Sequence, residues 1–256
     1  MRSLFDLTGK TAVLIGGNST LGSVMAEALG AHGAQVAIVG RNVQTAAEVV
    51  THLQQSGYEA KAFQADATKK QDVFRICSEI LAWSGQVDIL MNCPGKNSAT
   101  PFFEITEEEW DEIMDVNLLS ILLSCQVFSK QMIEQGTGGS IINISSVSSG
   151  PPLSRVLTYS VSKAGVNSLT QYLAREFAPY QIRVNGIIPG FFPAEQNKKI
   201  LSEERIAQIM SHTPMNRFGK PEELQGAAVY LASERASGFV TGTFLRVDGG
   251  FGAITI

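Results

Sequence analysis

Sulfur and imidazole are scarce in this chain, with three cysteines and three histidines among 256 residues. Cys77, Cys93 and Cys125 are scattered, odd in number and without metal-ligand spacing, which excludes a disulfide framework or a zinc site as the organising principle. They read as small buried apolar residues of a reducing compartment. His32, His52 and His212 are equally dispersed. With no His/Cys/carboxylate cluster, no catalytic metal is expected. Basic runs are missing too. Twenty Lys and Arg stand against 24 Asp and Glu, a net charge of −4, and no patch suggests a nucleic-acid partner. No apolar run approaches membrane-spanning length. The longest, 116–127, is short and contains Asn117, Ser120 and Ser124. The opening residues hold no secretory h-region, so the expectation is a cytoplasmic protein. No low-complexity linker divides the chain, and its length and 44% hydrophobic content suit one α/β domain over 1–256.

What is present is a strand–helix rhythm. Short apolar strands are predicted over 11–15, 35–39, 60–64, 88–92, 140–144, 183–187 and 243–247. Helices are predicted near 21–31, 43–55, 70–83 and 107–135, in a segment that carries Tyr159 and Lys163 and runs to about 178 before Pro179, and from Pro221, where proline and two acids suit a first turn. Strands such as Val13-Leu14-Ile15 and Ile141-Ile142-Asn143-Ile144 are nearly continuous apolar runs, as a parallel sheet covered on both faces requires. Alternating βαβ units then give a doubly wound sheet of about seven strands. The segment 191–215 has no strand partner and reads as a helical insertion over the active site, a candidate lid.

Tyr159 and Lys163 stand four residues apart, and Ser146 lies thirteen before the tyrosine. Residues at i and i+4 share a helix face, so the Lys163 ammonium can lie beside the Tyr159 phenol. A phenol of pKa about 10 is a poor base near neutrality, and a neighbouring cation lowers it. Ser146 can then hold a substrate oxygen while Tyr159 exchanges its proton. A Tyr-x-x-x-Lys pair alone also fits an ordinary exposed helix face.

The first predicted strand runs into Gly16-Gly17-Asn18-Ser19-Thr20-Leu21-Gly22 and then a helix. Such a turn lets the backbone approach a pyrophosphate, with free N–H groups at the helix start. The second strand ends at Gly40-Arg41, where an acid would bind an adenosine ribose and repel a 2′-phosphate. Arginine pairs well with phosphate, which favours NADP over NAD. Asp66, after the third strand, is placed to accept from an adenine amino group or to shape its own turn.

Together these features resemble the short-chain dehydrogenase/reductase family over essentially the whole chain. The family's first glycine turn falls on Ile15 to Gly22, its Asp-Val-Thr on Asp66-Ala67-Thr68, and its Asn-Asn-Ala-Gly on Asn92-Cys93-Pro94-Gly95. Its Pro-Gly turn falls on Pro189-Gly190, and its Asp-Gly-Gly tail on Asp248-Gly249-Gly250. The resemblance implies a Rossmann-type fold and a homotetramer of 222 symmetry. It implies cofactor contacts from Gly16, Asn18, Ser19, Thr20, Leu21, Gly22, Arg41, Asp66, Ala67, Asn92, Gly95, Tyr159, Lys163, Pro189 and Gly190. It also implies that Ser146 orients the carbonyl, Tyr159 is the acid/base, Lys163 binds the nicotinamide ribose, and Asn117 holds a proton-relaying water. Three positions depart from the pattern: Thr20 replaces a glycine, Cys93-Pro94 replaces Asn-Ala, and Ala194 replaces a threonine.

The segments 152–156, 189–197, 212–215 and 217–219 resemble the family's sugar-acid branch, the fructuronate reductases or D-mannonate oxidoreductases. Arg155 can face a substrate carboxylate there, or serve as a structural or interface residue. Lys96, Gln196 and Asn197 can meet hydroxyls or the same carboxylate. Three readings stand. The first is an NADPH-dependent ketone reductase, reversible toward the alcohol, acting on a small polar keto acid or keto-sugar. The second takes a 3-oxoacyl thioester or another apolar carbonyl, with Phe191, Phe192, Ile206, Ile209 and Met210 lining an apolar cleft. The third is a dinucleotide-binding protein without turnover. The apolar faces of the helices near 117–135 and after Tyr159, and the tail 251–256, are expected to pack on neighbouring subunits.

Overall fold

The computed structural model describes residues 3–192 and 202–253. Seven strands form one parallel sheet: β1 (Thr11–Ile15), β2 (Gln35–Gly40), β3 (Ala60–Gln64), β4 (Ile89–Asn92), β5 (Gly139–Ile144), β6 (Ile182–Pro189) and β7 (Phe244–Val247). Their order is β3-β2-β1-β4-β5-β6-β7. The order reverses between β1 and β4, whose register pairs Ala12 with Ile89 and Ile15 with Asn92. Ligands of open α/β sheets bind outside the carboxyl ends of the strands at such a switch point.

The apolar strands are buried on both faces, as their sequences require. Ala12 and Leu14 of β1 pack into one core layer with Met25 and Leu29 of α1 (Thr20–Ala31), Leu53 of α2 (Val43–Gln55) and Leu231. Val13 and Ile15 face the other layer, with Ile76 and Ile80 of α3 (Lys70–Ser84) and Phe128 and Met132 of α5 (Ser120–Gln135). Val166 of α6 (Leu157–Phe177) joins that second layer. Observed strand and helix limits agree with the sequence pattern to within one or two residues for nearly every element.

The expectation for the long helix needs correction here. Asp115–Leu119 is a π-turn between α4 (Glu107–Met114) and α5, so the stretch is interrupted where Asn117 lies. The whole helical run Glu107–Gln135 is also long and apolar enough to pass a membrane-span test by length and composition, contrary to the expectation that no segment would. Half of its apolar window is buried inside the fold, with Ile121, Cys125 and Phe128 in the core, so the apolar stripe serves the sheet. In the tail, Phe251 makes an edge-on contact with Phe191 of the same chain at 5.4 Å between ring centroids. Residues 254–256 lie outside the described residues.

Candidate active site

A cleft of about 1170 Å³ opens at the carboxyl ends of the strands. Its first wall is the turn after β1. Gly16 takes φ +71, and a Cβ there would lie 3.2 Å from the Cys93 carbonyl carbon and the Pro94 nitrogen. At Gly22 a Cβ would meet the Gly16 carbonyl oxygen at 2.7 Å. Both positions therefore demand glycine, and the chain crosses itself tightly below the start of α1. Ser19 caps that helix, its hydroxyl accepting from the Gly22 N–H at 3.1 Å. The N–H groups of Thr20 and Leu21 have no intrahelical acceptor and line the cleft, a fitting cradle for a pyrophosphate. Thr20 is exposed there, so its side chain meets space rather than backbone.

Gly40 explains the missing acid at the end of β2. A Cβ would sit 2.5 Å from Asn18 Oδ1, because the Asn18 amide packs over this residue and donates to Thr45 Oγ1 at 2.7 Å. Arg41 follows, exposed and lining the cleft. Asp66 also lines it. Its Oδ1 accepts from the Thr68 N–H and hydroxyl, at 3.1 and 2.8 Å, which closes the turn and leaves Oδ2 for another donor. Ala67, Gly95, Pro189 and Gly190 complete the predicted lining. Asn92 does not reach the cleft. It is fully buried beneath the sheet end, where Nδ2 donates to Asn143 Oδ1 at 2.9 Å and Asn143 Nδ2 donates to Thr170 Oγ1. Its own Oδ1 has no partner among the described residues. Asn92 thus supports the sheet and makes no direct approach to a ligand in the cleft.

Ser146, at the end of β5, and Tyr159 and Lys163, on the first turns of α6, line the same cleft. Lys163 is 2% exposed and reaches between two strand ends. Its Nζ donates to the Ile144 carbonyl at 2.9 Å and the Pro94 carbonyl at 3.2 Å. Burial lowers its pKa to about 8, against a smaller opposing effect of Cys93. Nζ lies 5.7 Å from the centroid of the Tyr159 ring. The phenol itself is shifted upward by burial, with a Ser146 hydrogen bond opposing. The sequence-based expectation of a lowered phenol therefore needs correction: desolvation is the largest cause and sets the direction, against the Ser146 hydrogen bond.

Asn117 is fully buried in the π-turn and its amide is committed on both sides. Oδ1 accepts from the Lys96 N–H at 2.7 Å, while Nδ2 donates to the Lys96 carbonyl and to Ser162 Oγ, each at 2.9 Å. Both side-chain amide hydrogens are used, so on this side chain a relay water would find only a lone pair of Oδ1. Lys96 lines the cleft, but its ammonium is paired with Glu112. Arg155 is exposed, lines the cleft and takes a left-handed φ of 70°. Gln196, Asn197 and Ala194 lie outside the described residues. No cluster that could hold a metal occurs among the described residues.

The sequence pattern did not single out Arg205. It sits on α7 (Glu203–Ser211) and lines the cleft, where Nη1 donates to Ser154 Oγ at 3.0 Å. The available signal was Ser202 followed by two glutamates, a helix-start pattern that places Arg205 in the first turn. Phe191, Phe192 and Ile209 also line the cleft, whereas Ile206 and Met210 are absent from its wall.

Comparison with known proteins agrees with this geometry. A family model described as enoyl-(acyl carrier protein) reductase matches residues 16–252. The 5-keto-D-gluconate 5-reductase of Escherichia coli K12 is 36% identical, covering 98% of each chain. The crystal structure of a gluconate 5-dehydrogenase from Burkholderia cenocepacia with NADP and tartrate has a TM-score of 0.93 at 32% identity, covering 98% of each chain. A Haemophilus structure with bound NAD, provisionally assigned as a D-mannonate oxidoreductase, has a TM-score of 0.94 at 33% identity. That match covers 98% of this chain and 97% of the other. The chain belongs to the short-chain dehydrogenase/reductase family and is an NAD(P)-dependent oxidoreductase.

Proposed function

We propose, with that family membership as the premise, that the chain interconverts the keto and secondary-alcohol forms of a polar sugar acid, using NADP(H) in preference to NAD(H). The observation that carries this reading is the convergence of Ser146, Tyr159 and Lys163 on one cleft that also contains the glycine turn and Arg41. A bound nicotinamide dinucleotide would supply the hydride. The chain's own residues manage the oxygen. The Ser146 hydroxyl holds the carbonyl oxygen beside the Tyr159 phenol. Tyr159, kept neutral by burial, donates its proton to that oxygen in reduction and takes it back in oxidation. The Lys163 ammonium favours the phenolate as it forms and is itself held by the Ile144 and Pro94 carbonyls. Asn117 is a positioning residue, fixing the Lys96 backbone and, through Ser162, the first turn of α6.

Three observations support the finer assignments. Arg41 with no acid at Gly40 suits a 2′-phosphate, while relatives are known with either dinucleotide. The gluconate names of the relatives and the tartrate in one of them point to polyhydroxy acids, of which fructuronate is one member. Exposed Leu157, Val161 and Tyr172 on α6 suit a homotetramer, to be read as a sedimenting mass four times 27.5 kDa. A second reading, a 3-oxoacyl thioester as substrate, is favoured by Phe191, Phe192 and Ile209 in the cleft.

The test is nicotinamide absorbance during turnover, with NADPH and NADH in parallel. The panel holds 5-keto-gluconate, fructuronate and an acetoacetyl thioester. Saturable NADPH oxidation with a sugar acid and a loss of at least ~100-fold in Tyr159→Phe, with NADPH binding retained, is the expected result. Thioester reduction without sugar-acid turnover overturns the substrate. Undiminished turnover in Tyr159→Phe overturns the mechanism.

A further inference from the structure

The cleft is positively charged in an acidic protein. The chain carries −4, yet among the described residues the charged ones lining the cleft are Arg41, Lys96, Arg155, Lys163 and Arg205 against one acid, Asp66. Lys163 is occupied by two carbonyls and Lys96 by Glu112. Arg41 belongs to the cofactor end. That leaves Arg155 and Arg205, which line the same cleft, with Arg205 bonded to the residue before Arg155. Arg205 Nη1 donates to Ser154 Oγ at 3.0 Å and Nη2 to the Ser154 carbonyl at 3.4 Å, and Arg155 is the next residue. The third bond of Arg205, from Nη1 to Gln208 Oε1 at 3.2 Å, is also to a neutral group. Neither guanidinium has a carboxylate partner among the described residues.

Two guanidiniums without carboxylate partners lining one cleft favour an anion there, and a carboxylate matches the guanidinium fork. A guanidinium has five N–H donors, so the three bonds of Arg205 leave two for a ligand. The left-handed backbone at Arg155 is the kind of local strain that collects at ligand clamps. Ser154, held by Arg205, and Arg155 stand just ahead of the turn that carries Tyr159, so an anion bound here is tied through a short segment to the reacting centre.

We propose that Arg205, carried by α7 and paired with Arg155, forms the receptor for the substrate carboxylate and so sets the preference for keto acids over neutral ketones. The inference rests on the sugar-acid reading above. Ser154 holds the guanidinium at the cleft wall before substrate arrives, and the carboxylate then bridges α7 to the loop before α6.

The experiment compares 5-keto-gluconate with a ketohexose, which has a hydroxymethyl group where the acid has its carboxylate, in wild type, Arg205→Ala and Arg205→Lys. In Arg205→Ala the acid-to-ketohexose ratio of kcat/KM falls ~10–100-fold, carried by KM for the acid with kcat largely kept. Arg205→Lys recovers part of the ratio, because a point charge remains without the fork. An unaltered ratio, or equal losses on both substrates, overturns the inference while leaving the sugar-acid reading intact. If wild type turns over no sugar acid, that reading falls separately, and gluconate binding by calorimetry decides the receptor. Binding by wild type that Arg205→Ala loses sustains it. Equal binding by both, or none by wild type, overturns it.

Discussion

Lys163 pays for its position at the residue scale. It is buried, its pKa is brought down to about 8 from a normal value of 10.5, and burial is the larger cause. Below pH 8 both folded and unfolded chains carry the proton, and the cost of burying the charge is fully present. Between about 8 and 10.5 the unfolded chain still holds a proton that the fold has shed, so this group makes stability rise with pH. Tyr159 runs the other way. Its folded pKa lies above 10, so its contribution is kept below that pH and lost above it. The three buried thiols, raised by burial to about 11 or 12, also bind protons differently in the two states from about pH 9, and they are common to wild type and a lysine variant, so the difference between the two chains reports the lysine. Urea denaturation of wild type and Lys163→Met at pH 7 to 10 should show wild type gaining on the variant by roughly 2 kcal/mol as pH rises. Parallel curves would sink the assignment. The Tyr-x-x-x-Lys spacing was legible in the sequence because helical period fixes it. The direction of the phenol shift was not, since it depends on how deeply the rest of the chain buries that turn.

Elements built from apolar runs were the most legible. β1 is predicted and found at 11–15, where all five residues are buried, as a short run ending at a glycine turn and covered on both faces requires. The π-turn at Asp115–Leu119 had no such signature: one extra residue in a turn leaves the apolar stripe of the long helix almost unchanged. Gly40 could not be understood without the fold either, because the side chain that excludes a Cβ there, Asn18, comes from a turn 22 residues earlier. Arg205 and Ser154 are 51 positions apart and belong to no motif, so their contact was invisible in the sequence. The π-turn has a testable job. Asn117→Ala strips the Lys96 N–H and carbonyl and Ser162 Oγ of their partner at a buried site, which should cost about 3 kcal/mol in denaturation. It should also speed amide exchange at 95–97 and raise KM for NADPH more than it lowers kcat. Unchanged exchange in that loop would mean that the turn, not the side chain, holds it.

At the scale of the whole molecule, a net charge of −4 coexists with a cleft lined, among the described residues, by five cations and one acid. Like-signed charges in a low-dielectric cleft focus field lines, so anionic ligands are drawn to the opening while the rest of the surface repels them. The charges are set along the cleft by distant elements: Arg41 after β2, Lys163 on α6 and Arg205 on α7. Only the folded sheet gathers them, which is why the sequence, read for basic runs, shows none. Salt should expose the arrangement, because the screening length shrinks from about 30 Å at 0.01 M to about 10 Å at 0.1 M. kcat/KM for NADPH is expected to fall on the order of tenfold between 0.01 and 0.5 M salt. Arg41→Ala should flatten that slope and narrow the preference for NADPH over NADH, because the charge it removes is the one placed for the 2′-phosphate. If wild type and Arg41→Ala show the same salt slope and the same cofactor preference, Arg41 is only a surface arginine beside a turn. The attraction would then come from the net field of the other four cations, which does not distinguish the two dinucleotides by their ribose.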